Sequence, residues 1–376
     1  MTNHMITGTQ IKSTFIMFWL GSLVVLGVNQ DAKQDAWIPI LLSFIMFLPL
    51  IWLYSRLVHL YPGLNLFEML LQIFGKVFGR IMAILFILFA IHLGSMIMRI
   101  FAEFIQILSM PETPQILTIA LLSLTCIFCV SNGPENIGRI SKFTWPIMAA
   151  AVLVTLIISF KDMDFNNLMP VMTTDFKTLI GGGLVLCMFP LGEGVLCLSL
   201  FSAVSPKIKL FKILIEALAL TVVILLLVNM RNILILGFPS STMYYFPSDQ
   251  AVSVISVGDF FTRMEVIIGL NLMLAGVIKV CVCLYAASLG LAKVMNIKNQ
   301  KSLIVPCCLL MVTVAGLIYS STQDMTAWIK IYPVYAIPFQ ALLPAITLIG
   351  AEIQNKIKNG GSSKSKNSEN GNEPAS

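Results

Sequence analysis

The chain is 376 residues long, of which 57% are apolar and 11% charged, and its formal net charge is +6. Soluble domains carry about 25% charged residues, so this composition excludes a soluble globular protein and requires helices whose outer faces meet lipid. The positive excess is spread through the connections rather than gathered in a basic cluster, which argues against nucleic acid as a partner.

Apolar runs of about 17–25 residues or more span a bilayer as helices. Ten are predicted, over residues 11–27, 36–54, 81–108, 114–130, 143–160, 179–202, 208–228, 263–295, 302–320 and 329–353. The first has only Lys12 ahead of it and no clear small-residue cleavage site, so it is expected to remain as a span rather than act as a signal peptide. It is interrupted near its middle by Gly21-Ser22. Between spans two and three, residues 61–80 alternate apolar and polar faces after Pro62-Gly63, as an interfacial helix does.

Along span three, His92, Ser95, Arg99, Glu103 and Gln106 recur every three or four residues and form one polar stripe. Arg99 and Glu103 are an i, i+4 pair, expected to be structural. His92 lies deeper, where it faces a cavity, titrates as a proton relay, or sits hydrogen-bonded in the core. All eight cysteines fall inside predicted spans, so Cys126-x-x-Cys129 is read as small buried side chains rather than as a metal or redox site. In span six, Gly181-Gly182-Gly183 suits close helix packing, and Phe189-Pro190-Leu191-Gly192-Glu193-Gly194 breaks the helix near mid-depth. Lys212 and Glu216 in span seven are explained by snorkelling and pairing near one membrane surface. Residues 229–262 form the longest connection, a candidate cap or docking surface. After Lys356 the chain is too polar to bury anything, and 356–376 is expected to be a disordered tail.

Lysine and arginine concentrate in the even-numbered connections and both ends of the chain. By the positive-inside rule both termini are then cytoplasmic. No catalytic spacing stands out, and neither an enzyme, a cofactor nor a metal is expected.

The order of short motifs resembles the B subunit of the nutrient germinant receptors of endospore-forming bacteria. These are Leu20-Gly21-Ser22, Gln34-Asp35-Ala36-Trp37, Pro62-Gly63 with Glu68, and Phe74-Gly75-Lys76. They continue with Arg99, Phe101 and Glu103-Phe104-Ile105, Pro111 with Thr113-Pro114, Gly133 with Glu135, Ile137 and Arg139, Asn167-Leu168 with Pro170, and Gly192-Glu193. The likeness runs from residue 11 to about residue 353 and rests on the number and order of the motifs, none of which is specific alone. It implies an all-α integral membrane protein of the amino acid-polyamine-organocation superfamily: one domain over 1–355, with five-helix inverted repeats at about 11–160 and 179–353 and discontinuous helices one and six. It also implies assembly with an A subunit and a lipoprotein C subunit in the inner spore membrane.

A helix broken inside lipid frees backbone groups that need partners, at several kcal/mol per group if unmet. Matching breaks in two chain halves mark a midplane binding site in transporter-type folds. Ser22, Leu23 and Val24 are expected to open a half-helix whose N–H groups face a carboxylate, and Glu193 and the freed carbonyls of span six to receive an ammonium. The candidate site is therefore Gly21, Ser22, Leu23, Phe189, Leu191, Gly192, Glu193, Gly194 and His92. An ionisable group at that depth is functional by default, the alternative for Glu193 being a structural pair with Lys279. The resemblance adds that Lys279 stands near a coupling-ion position, where an ammonium can take the place of sodium. The expected function is a receptor subunit that binds a small nutrient, an amino acid, and triggers germination. A proton-coupled amino acid permease is the alternative.

Overall fold

The computed structural model describes residues 5–21, 23, 26, 30–108, 110–205, 208–254 and 265–369. Helix dominates them, as it must where no water is present to satisfy a main chain. In chain order these are α1 (Gly8–Leu20), α2 (Trp37–Leu60), α3 (Leu66–Leu108), α4 (Gln115–Ser131), α5 (Pro134–Ser159) and α6 (Phe176–Leu186). After the broken stretch of span six come α7 (Leu210–Leu236), the short α8 (Ser240–Met243) and α9 (Pro247–Ser253), then α10 (Glu265–Val294), α11 (Ile304–Leu317), α12 (Thr322–Ile337) and α13 (Leu343–Glu369). Among the described residues, eight helical stretches are long and apolar enough to cross a membrane. Together with α4 and the interrupted first segment, they occupy the ten expected positions.

Several boundaries differ from the sequence reading. The interfacial helix runs directly into span three as α3, bent at Gly75, whose φ of 74° only glycine adopts freely. Span seven continues to Leu236 rather than stopping at 228, because the charge that halted the apolar run is satisfied inside the protein. Buried Arg231 donates to Thr155 Oγ1 at 2.9 Å, to Asn232 Oδ1 at 2.8 Å and to the Ser248 carbonyl at 3.3 Å. The last helix continues beyond residue 353, where span ten was expected to end, to Glu369; an already nucleated helix gains one backbone bond for each residue it adds.

Of the eight long apolar stretches, the one that carries Glu193 is the most enclosed. Residues 176–203 have 89% of their most apolar stretch inside the bundle, and α10 packs on α1, α3, α4, α5 and α11. Irregular backbone survives at membrane depth only where protein rather than lipid surrounds it. At the rim, Asp35 accepts backbone N–H bonds from Met172 (2.8 Å), Thr173 (2.9 Å) and Thr174 (3.0 Å), and the Gln34 amide donates to the Pro170 carbonyl at 2.9 Å. Burial raises the Asp35 pKa, but these N–H groups and the Thr174 hydroxyl outweigh it and hold the carboxyl below its ordinary 3.8.

Candidate functional site

α6 ends at Leu186 and gives way to a wide π turn over Cys187–Leu191, in which Phe189 leaves helical geometry altogether (φ −130°, ψ 108°). Pro190 supplies no N–H, so the ladder cannot close across it. The chain resumes as tight 3-10 turns over Gly192–Ala203. On the facing element, α1 stops at Leu20 and Gly21 caps it, its N–H bonded to the Phe18 carbonyl at 3.3 Å. Both interruptions therefore fall where glycine and proline place them in the sequence. Leu23 stands in a turn and Leu26 in a bend; Ser22 and Val24, and with them the half-helix expected to open there, lie outside the described residues.

The freed carbonyls of span six have donors from the protein itself. The Trp19 indole N–H donates to the Leu191 carbonyl at 2.7 Å. The Tyr54 hydroxyl lies 2.6 Å from the Gln340 carbonyl and 3.2 Å from that of Gly192. The indole approaches so closely because residue 194 is glycine: a Cβ there would stand 2.7 Å from Trp19 Nε1. Sequence reasoning missed Trp19, Tyr54 and Gln340. For Trp19 the available signal was an N–H donor two residues before the break; for Gln340, an amide in an apolar span directly after Pro338.

At the centre, Lys279 Nζ of α10 meets Glu193 Oε2 at 2.5 Å, and neither side chain has any solvent exposure. The ammonium lies over the rings of Phe18 and Phe189, 5.4 and 5.6 Å from their centroids, where ring quadrupoles attract a cation. Tyr332 of α12 is also wholly buried, with its hydroxyl beside the Glu193 carboxylate and its ring 5.3 Å from that of Phe189. Gly21 makes room for the lysine: a Cβ at 21 would stand 2.8 Å from Lys279 Cδ and 2.9 Å from its Cβ. The structure thus brings Gly21, Phe189, Glu193 and Lys279 to one point, with Leu191, Gly192 and Gly194 immediately around it.

His92 lies apart from this point. It is half-buried against Trp328 and Tyr335, with ring centroids 5.8 and 5.0 Å away, and Nδ1 has no hydrogen-bond partner among the described residues. Arg99 and Glu103 are also separate, joined at 2.9 Å with Thr322 donating to the second carboxylate oxygen at 2.7 Å. The carboxylate's acceptors are thereby occupied by structural partners.

Above the centre, at the end of the bundle that holds the Asp35 clamp, opens a cavity of about 830 Å³. Leu23, Leu26 and the Gly181-Gly182 face of α6 line its walls, Thr242 to Tyr245 its mouth, and Phe189 the part nearest the ion pair. Asp31 and Lys177 give the lining one charge of each sign. Glu193 and Lys279 are absent from it, so Phe189 stands between the cavity and the buried pair.

Comparison with known proteins agrees with this architecture. The nucleobase-cation-symport-1 family transporter MHP1, solved in a closed conformation with bromovinylhydantoin bound, superposes with a TM-score of 0.65 at 11% identity, covering 92% of this chain and 78% of that one. MhsT in complex with L-phenylalanine gives 0.64 at 12% identity, with 92% and 87% covered. Both likenesses establish the transporter fold. Spore germination protein KB of Bacillus subtilis is 27% identical over 355 residues, 92% of this chain and 94% of that protein. A family model described as "Spore germination protein" matches residues 5–325, and the chain belongs to that family of integral membrane proteins.

Proposed function

We propose that this chain is the membrane-embedded subunit of a spore germinant receptor and binds a small nutrient, an amino acid, at the unwound parts of spans one and six. The observation that carries the reading is the Lys279–Glu193 pair, buried at the meeting of the two breaks and separated from an outward cavity by one aromatic ring. A zwitterion is matched to such a pair. Its carboxylate faces the ammonium of Lys279 and its ammonium faces the carboxylate of Glu193, so one internal ion pair is exchanged for two with the guest and the net charge of the site is unchanged. Movement of the Phe189 ring admits the guest. The guest favours whichever arrangement of the bundle separates Lys279 from Glu193, and only such a difference in affinity shifts the population.

The shifted bundle passes the event to an A subunit and a lipoprotein C subunit. The lysine and arginine distribution supports cytoplasmic termini, on the core side of the inner spore membrane. Spores carrying Glu193→Gln or Gly21→Val should keep the protein in the membrane and lose the nutrient response. An unchanged concentration dependence in either places the site elsewhere. The transporter fold of the structural neighbours favours one further reading, a proton-coupled amino acid permease, and uptake of labelled amino acid by vesicles holding this chain alone selects it.

A further inference from the structure

A second cavity, of about 500 Å³, lies at the other end of the bundle between the last turns of α2, the close of the 3-10 segment and the start of α7. Its walls carry two kinds of chemistry. Arg56 and Lys209 supply cations, His59 an imidazole and Ser55 a hydroxyl, while most of the remaining lining is apolar and includes Trp52 and Phe211; no aspartate or glutamate is among the described lining residues. Trp52, Arg56 and His59 recur three or four residues apart and so share one face of α2. Glu352 holds Arg56 through its Nε at 2.7 Å, which fixes the guanidinium at this rim. Trp52 and Phe211 are 54% and 44% exposed, so at membrane depth the cavity opens sideways to lipid rather than only to water. Tryptophan beside basic side chains is the composition of a membrane interface.

We propose that this cavity seats one anionic phospholipid, with its phosphate among Arg56, His59 and Lys209 and its upper acyl carbons along Trp52 and Phe211. Charge complementarity selects the head: Glu352 offsets Arg56 through its Nε at 2.7 Å but does not line the cavity, so Lys209 gives the wall its net positive charge, the Arg56 guanidinium and His59 imidazole add donors for a phosphate, and a zwitterionic head group's ammonium meets no carboxylate in the wall. The volume falls in the range of about 300–1,000 Å³ typical of ligand sites. A free inorganic anion would satisfy the basic side and leave the apolar side wet. Val204, in the same wall, is bridged to Ile6 just ahead of α1, so a lipid seated here braces the inner ends of spans one, two, six and seven against one another.

The test uses the full chain reconstituted in phosphatidylcholine with and without a minority of phosphatidylglycerol, reading the thermal midpoint and the lipid retained in native mass spectrometry. Phosphatidylglycerol should raise the midpoint and remain bound at one copy. His59→Gln with Lys209→Gln should weaken its binding about tenfold, each basic side chain contributing a severalfold factor. Ser205→Trp, which fills the cavity without touching charge, should abolish retention, whereas Lys298→Gln with Lys301→Gln, on a separate exposed connection, should leave it unchanged. Equal loss in that control pair overturns the site in favour of diffuse attraction. The same stabilisation from inorganic phosphate in phosphatidylcholine alone overturns the lipid assignment, as does the absence of any phosphatidylglycerol effect.

Discussion

Removing one partner of the central ion pair should cost far more than removing both. At 2.5 Å and an effective dielectric of about 20, the attraction between unit charges is roughly 7 kcal/mol, set against a desolvation cost of several kcal/mol for each buried ion. The pair therefore contributes little net stability, but each partner cancels the other's burial. Glu193→Gln removes the carboxylate that offsets the wholly buried ammonium of Lys279, at about 3–5 kcal/mol, or on the order of 5 °C in Tm. The double variant Glu193→Leu with Lys279→Met replaces both charges with apolar groups of similar length and should recover most of that loss. Thermal unfolding of the purified chain in detergent, followed by tryptophan fluorescence, reads both. In spores the recovered double variant should still be unresponsive to nutrient, which separates folding from sensing. A single variant as stable as the parent, or a double variant less stable than the single, refutes the reasoning about the pair. A double variant that germinates normally refutes its role in binding.

Three further outcomes follow from other contacts. Gly21→Val drives a branched side chain into Lys279 Cδ and Cβ and toward the Ala275 carbonyl, 3.2 Å from the position of a Cβ; overpacking of this kind costs about 1–3 kcal/mol, read as a lower Tm in protein that still inserts. Trp19→Phe keeps the ring and deletes the donor to Leu191, so a buried carbonyl goes unmet at about 1–3 kcal/mol, and hydrogen exchange should quicken first in the 3-10 segment. Because Asp35 has its carboxyl pKa held below 3.8 by the fold, its stabilising contribution is complete above pH 3.8 and is lost as pH falls through the lowered value. Asp35→Asn should therefore reduce stability near neutrality and flatten the acid limb of a Tm-against-pH curve.

Both breaks were legible in the sequence because their causes are local. Gly21 and the run from Phe189 to Gly194 interrupt a helix wherever they are placed, and the depth of each follows from counting along its run. Glu193 and Lys279 were legible as a possible pair, since two charges at matching depth have few other partners. What fills the break was not legible, because it depends on which side chains of spans one, two and ten face span six once the bundle is assembled. Trp19 reads as one more apolar residue until it is seen within 2.7 Å of a carbonyl. Arg231 misled for the opposite reason: its charge ended the apolar run early, although Thr155 and Ser248, distant in sequence, receive it inside the protein. Asp35 stood out as part of a motif, but its work of gathering three N–H groups from residues 172–174 appears only when the connections are folded over it.

The indole of Trp19 and the phenol of Tyr54 have one further effect: at Leu191 and Gly192 the broken stretch of span six is already answered by the protein itself. A solute that is to take those two carbonyls must displace contacts the protein makes with itself, and its apparent affinity is then its intrinsic affinity reduced by the rarity of the opened form. On the receptor reading proposed above, such a site ignores traces and answers abundance, its threshold set by how firmly two aromatic side chains grip span six.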